Sequence, residues 1–316
     1  MKKILVLFIV ANCFFASLAA KKDPEYSKAR KNGAEAKIHL RIVDDVGIGV
    51  SNVSVRVFMG MNFRPKGYWI DGVTDKNGYF IIQGKTCGDE VEIFISKNGY
   101  YDSHEKLRFA EMGKEHNVEN GKWQPYEEKY NMIIRKVRNP QAIGFGGEYI
   151  FTKKLNQWLG FDIHMSDFVY PYGNGKISDF EIKIDWDGKW LPDYTGMGIS
   201  IRFVVPFSGY YEIPIQSVSK LKGPYVADNE KEYQKTAVFF EKVVNSSERI
   251  RKSYDQSKCW VVRSRCKVDK DGNLISSNYS VIHKISFCGE IEGSGGVRVI
   301  GAYNPTPNDT NLEPKR

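Results

Sequence analysis

Cysteine and histidine are sparse in this sequence. It contains 5 cysteines and 5 histidines among 316 residues, and so few cysteines exclude a disulfide-dense miniprotein. His39, His104, His116, His164 and His283 lie far apart, without a His-Glu-x-x-His pair. A zinc site would need convergence from distant segments. The Gly-x-Ser-x-Gly nucleophile elbow is missing. Gly78 to Thr86 imitates a phosphate-binding loop but has five residues between its glycines where that motif has four. Asp269, Asp271 and Asn273 open like a calcium loop, yet Leu274 and Ser280 stand where glycine and glutamate are needed. A hairpin turn explains them better, and the same holds for Asp185-Trp186-Asp187-Gly188. The sequence predicts no catalytic residue, no metal and no cofactor.

Long apolar runs are confined to the start of the chain. Met1 to Ala19 carries Lys2-Lys3, an apolar stretch from Ile4 to Ala11, and small residues leading to Ser17-Leu18-Ala19. That is the layout of a secretory signal peptide, cleaved after Ala19. Val10-Ala11-Asn12-Cys13 loosely resembles a lipoprotein signal, which leaves lipidation of Cys13 as an alternative. No later stretch approaches the roughly 20 residues that span a bilayer. The expectation is an exported protein, periplasmic, outer-surface or extracellular, with no transmembrane segment in the mature chain.

Export places Cys87, Cys259, Cys266 and Cys288 in an oxidising compartment, where four cysteines allow three pairings. If Cys259 and Cys266 share a strand, seven residues at about 3.3 Å each hold them beyond bridging distance. Cys288 is then the partner expected for one of them, with Cys87 free. The 46 basic and 38 acidic side chains are interspersed, so no basic face is readable and a nucleic-acid partner is excluded.

With 41% hydrophobic and 13% aromatic residues the chain is globular. Ile38, Leu40 and Ile42 alternate with polar residues, as do Val53, Val55 and Val57, then Val91, Ile93 and Ile95. Period two means strands with one buried face. Asp75-Lys76-Asn77-Gly78 and Lys97-Asn98-Gly99 supply turns. In the second half Phe180, Ile182 and Ile184 alternate, then Ile199, Ile201 and Phe203. Trp260 to Val268 and Ile275 to Ile285 read as a hairpin closed by Asp269 to Asn273. Residues 230–250 mix helical spacing with strand formers and stay open. These signals predict an all-β protein of two β-sandwich-like domains. The expected boundaries are a signal peptide at 1–19, an exposed lead-in at 20–35, domains at 36–138 and 139–305, and a tail at 306–316.

Val43-Asp44, Gly49 to Val55, Val73-Thr74-Asp75-Lys76-Asn77-Gly78-Tyr79-Phe80 and Ile95 to Tyr101 carry a family likeness. With them, residues of about 36–110 resemble the carboxypeptidase regulatory-like domain, a transthyretin-like (prealbumin-like) sandwich. The resemblance implies a non-catalytic folding, spacing or adhesion module. Gly160-Phe161-Asp162, Ser166 to Lys176 and the closing Tyr303 to Glu313 resemble a group of exported bacterial proteins of unassigned activity. Those carry such a module ahead of an all-β region, here expected as a sandwich or jelly roll.

Aromatic residues near carboxylates form the candidate ligand-binding set: Tyr170 and Tyr172 around Pro171, and Trp186 and Trp190 around Asp185, Asp187 and Asp193. Such rings can stack on sugars while carboxylates bond the hydroxyls. The bland alternative is core packing. The resulting expectation is an exported, non-catalytic binding or structural protein of the bacterial envelope, adhesive or scaffolding, with a glycan or another envelope protein as partner. The rival is a carbohydrate-active enzyme or glycan-binding protein with its site in the C-terminal domain. An enzyme would need carboxylates such as Asp162 with Asp167, or Asp179 with Asp185, facing each other across a cleft.

Overall fold

A computed structural model describes residues 24–61, 66–109, 118–187, 189, 195–243, 248–289 and 293–315. The leader, Cys13, His116 and Trp190 lie outside the described residues. The first domain contains α1 (Pro24–Asn32), β1 (Ala34–Val43), β2 (Ser54–Met61), β3 (Lys66–Val73), β4 (Tyr79–Thr86), β5 (Glu90–Ser96), β6 (Ser103–Arg108), β7 (Val118–Glu119), β8 (Lys122–Trp123) and β9 (Glu128–Ile133). The second contains β10 (Ile143–Phe145), β11 (Ile150–Thr152), β12 (Trp158–Asp162), β13 (Asp167–Phe168), β14 (Phe180–Trp186), β15 (Gly196–Arg202), β16 (Gly209–Pro214), β17 (Thr236–Val243), β18 (Arg249–Lys252), β19 (Lys258–Val268), β20 (Leu274–Gly289) and β21 (Gly295–Asn304).

Each domain is a pair of packed sheets. In the first, β1 lies between β4 and the β8 and β9 segments, facing a sheet of order β3-β2-β5-β6. Alternation puts Ile38, Leu40 and Ile42 of β1 against Val55, Val57, Met59 and Ile93, all fully buried. Asp75 closes the β3–β4 connection by accepting the backbone N–H of Asn77 (2.9 Å) and Tyr79 (2.8 Å). A side chain at Gly78, whose φ is +84°, would strike the carbonyl of Ile42, so glycine is required there. From Pro24 the lead-in is a mostly exposed helix laid against the sandwich, and β1 begins at Ala34. The reason is local: Ala29 is buried and Tyr26 meets Trp123 edge-on at 6.1 Å, three residues apart on one helix face.

In the second domain β13-β12-β14-β15-β17-β18 faces a sheet in which β10 and β11 flank β21, followed by β20, β19 and β16. Phe161, Phe180, Ile182 and Ile199 pack against Trp260, Val262, Ile282 and Val299 in one core. The region left open, 230–250, supplies β17, which pairs with β15 from Arg202↔Thr236 to Gly196↔Lys242. The unpaired edge of β15 decides for strand, because its backbone groups need partners. The Asp269 carboxylate accepts the N–H of Asp271 and Asn273 (2.9 and 2.8 Å), which makes this the hairpin turn between β19 and β20. Cys259 and Cys266 do share β19, and neither is in a disulfide. The bridge expected from one of them to Cys288 is not formed. Trp260 pairs with Ile282, so Cys288 lies about five residues along β20 from Cys259, roughly 16 Å.

The two sandwiches meet at a built joint. Arg135, just after β9 and 2% exposed, donates to Asp45 (2.6 Å) and to the backbone carbonyls of Leu221 and Gly223. The last residues, expected as a tail, return to this joint. Leu312 and Glu313 are buried, and the Glu313 carboxylate accepts the N–H of Arg138 and Asn139 (2.6 Å each) and the hydroxyl of Tyr101 (3.1 Å). The polar run folds because its own amides bond inward: Asn304 donates to the Asn311 carbonyl (2.7 Å) and Asn311 to that of Asn139 (2.6 Å). Glu313→Ala removes the acceptor from two partly buried N–H bonds and should cost about 2 kcal/mol, read as a lower urea midpoint. Glu313→Gln, which keeps an acceptor, should lose less.

Candidate binding site

The aromatic set expected from sequence does not assemble into one site. Trp186 ends β14 with 3% exposure. Its ring fills the space over Gly289, where an added Cβ would come within 2.8 Å of it. It is core, because β14 alternates inward at that position, and cannot stack on a sugar. Tyr170 and Tyr172 are 82% and 42% exposed, on the connection between β13 and β14.

Carboxylates hold that connection in shape. Asp167 accepts the N–H of Phe168 (2.7 Å) and of Asn174 (2.8 Å). Asp162 accepts the N–H of Lys176 and Ile177 (2.9 and 3.1 Å), and Asp179 that of Ile163 (2.8 Å). Arg265 crosses from β19 to bond Asp162 (2.7 Å) and Asp179 (2.9 Å) together. Burial opposes ionisation of Asp162, but the N–H groups of Lys176, Ile177 and Met165 and the Arg265 charge outweigh it and lower its pKa. Asp162 and Asp179 thus both clamp one guanidinium, while Asp185 accepts the Ser200 hydroxyl (2.7 Å) and pairs with Lys183 (2.7 Å). The carboxylate pairs considered for glycoside hydrolysis are committed to structure. Thiol chemistry fares no better at Cys259, where burial pushes the thiol up to about 12.

A different site lies where the sandwiches meet. A cleft of about 780 Å³ opens between the outer face of the β3-β2-β5-β6 sheet and the outer face of β20 and β21, within the range of small-ligand pockets. On the first wall Arg56, Phe94 and His104 stand side by side on neighbouring strands, by the pairings Arg56↔Phe94 and Phe94↔His104. The Phe94 and His104 rings stack at 4.1 Å, and Arg56 bonds Asp71 (2.8 Å) while lying over Trp69 at 4.7 Å. The second wall has apolar Val281 and Ala302, with His283, Lys222, Lys220 and Lys315 around them. A polar hollow of about 810 Å³ continues from it, sharing Ser96, Asp102 and Lys220.

The second wall owes its shape to an irregularity. The β20–β21 register shifts between Ile282 and Lys284, a bulge at His283 that lets both Ile282 and Ile285 enter the core. One extra residue re-aims the strand, and His283 is left lining the cleft. Burial, with Lys222 and Lys284 close by, pushes His283 down to about 4. Burial and the Lys284 charge likewise lower the pKa of Lys222. Sequence reading missed this site because its parts come from both domains; the single local signal was the break in alternation at Ile282-His283-Lys284-Ile285.

The fold and the cleft define a class: a two-sandwich all-β protein with a ligand-sized hollow at its domain joint. No protein-family model and no curated protein matches the chain. Among solved structures it is similar to 3-chlorocatechol 1,2-dioxygenase from Rhodococcus opacus 1CP, at 15% identity and TM-score 0.27, over 34% of this chain and 62% of that one. Catechol 1,2-dioxygenase from Acinetobacter sp. ADP1 matches at 12% and 0.25, over 33% and 53%. The dioxygenase domain of a dioxygenase carbohydrate-binding protein fusion from Streptomyces sp. SirexAA-E matches at 12% and 0.26, over 34% and 82%. The chain spans less than two thirds of the first two proteins, and likenesses of this extent carry no activity to it.

His283 gives a pH signature. Its folded pKa of about 4 lies below the ordinary 6.5, so the unfolded chain takes up the proton first. Stability should therefore fall as pH drops from about 6.5 to 4, by on the order of 3 kcal/mol. Urea midpoints across this window should show the slope in the native protein and a flatter one in His283→Gln.

Proposed function

We propose that this chain is an exported, non-catalytic binding protein of a bacterial envelope, with its ligand held in the cleft between the two sandwiches. The cleft carries the reading: it is large enough for a ligand, sets apolar Phe94, Val281 and Ala302 among charged and polar groups, and is framed by a joint whose buried charges are bonded across both domains. Residues of about 36–110 serve in this reading as a carboxypeptidase regulatory-like, transthyretin-like module that supplies one wall. Export rests on the leader-like Met1 to Ala19. A glycan or another envelope component fits the role of partner, and the exposed Tyr170 and Tyr172 offer it a second contact surface.

Val218 lines the cleft and is 36% exposed, so Val218→Trp can fill the hollow without entering the core. In a thermal-shift screen of envelope glycans and small metabolites, compounds that raise the unfolding temperature of the native chain should lose that effect on Val218→Trp. Hits indifferent to the substitution would refute the cleft as the site. For export, fractionation of a bacterium producing the full chain should recover protein beginning at Ala20 outside the cytoplasm. Intact protein beginning at Met1 in the cytosol would overturn that part.

A further inference from the structure

The cleft has an electrostatic imbalance that its own residues do not correct. Lys222, Lys220 and Lys315 line it, and among the described residues none of their ammonium groups forms an ion pair or hydrogen bond. Asp102 is the lone carboxylate on the lining. Arg56 and His104 already have Asp71 and Glu92 as partners, at 2.8 and 3.3 Å, so those acids are not free to neutralise the lysines. Lys222 is the telling member. It is partly buried, on a segment whose position is set by Arg135, which holds the carbonyls on either side of it at Leu221 and Gly223. Burial and the Lys284 charge both disfavour its ammonium, and burial with the same two lysines disfavours protonation of His283.

An ammonium drawn out of water without an acceptor is unfavourable. The Arg135 bonds to the carbonyls of Leu221 and Gly223 fix where the Lys222 stem leaves the backbone, at the edge of the cleft. An anion entering the cleft would give Lys222 the acceptor it lacks, with Lys220 and Lys315 on the same lining. The opposite wall adds a second requirement. Phe94 and His104 present stacked rings beside the immobilised Arg56 guanidinium, and Val281 and Ala302 make the floor apolar. Aromatic surface of this kind takes planar or sugar-ring bodies.

We infer that the cleft holds a ring-bearing organic acid, its carboxylate on Lys222 with Lys220 and Lys315 around it and its ring against Phe94 and His104. The inference rests on the cleft-binding reading and specifies its ligand class. Aromatic acids and acidic sugars share this chemistry.

Titration calorimetry on the chain from Ala20 separates the possibilities with four probes: naphthoate and its uncharged counterpart naphthol, trigalacturonate and its uncharged counterpart trigalactose. One acid should bind at least about tenfold more tightly than its neutral counterpart, and which acid does so names the source. Lys222→Met should lower the affinity for that acid about tenfold, leave the neutral probe unaffected, and leave the unfolding temperature of the unliganded protein equal or higher. Lys220→Met combined with Lys315→Met, both at exposed positions, should weaken the acid severalfold. Equal binding of acid and neutral probes, or unchanged affinity in all lysine variants, overturns the inference while the cleft reading stands. If none of the four probes binds, the inference falls, while the cleft reading is decided separately by the Val218→Trp screen.

Discussion

Burial of the Arg135 guanidinium between two sandwiches is the constraint on which the rest of this structure depends. Its side chain is 3% exposed, and a guanidinium at that depth is tolerable only if its donors are met. One acceptor, Asp45, belongs to the first domain, and the others, the carbonyls of Leu221 and Gly223, to the second. The Tyr225 ring covers it at 4.4 Å and donates its hydroxyl to the Lys136 carbonyl (2.7 Å). Docked, every partner is present; separated, the guanidinium keeps Asp45 and loses both carbonyls and the Tyr225 ring. Glu313 imposes the complementary condition with the opposite sign, since its acceptors are filled by the linker and by Tyr101.

That joint also positions the site. The carbonyls that Arg135 grips flank Lys222, and the isolated bridge Ser103↔Ser219 ties the same segment to the end strand of the first domain. The cleft is consequently a product of docking rather than of either sandwich. Its cationic wall comes from a connection and a bulged strand of the second domain, and its ring wall from the solvent face of the first.

Strand patterns were legible because alternation is a local consequence of a one-sided core. Ile38, Leu40 and Ile42, or Phe180, Ile182 and Ile184, are buried as their spacing demands. The Asp75 and Asp269 turns were legible for the same reason: an aspartate bonding its own backbone needs no distant partner. Trp186 shows the limit. Its neighbours Asp185 and Asp187 suggested an exposed turn, but its inward phase on β14 placed the ring in the core. The closing polar stretch read as a tail because asparagines that bond backbone inward look identical in sequence to asparagines that face water.

The sequence alone determined the all-β class, the phase of the main strands and the tight turns, since each follows from contacts a few residues apart or from one face meeting a core. Only the tertiary structure decided that 236–243 is a strand, that the chain's end locks the linker, and that lysines, a histidine and stacked rings from both sandwiches share one hollow. Those outcomes require backbone edges, buried charges and surfaces to find partners far away along the chain, and no local pattern encodes which partner will be there.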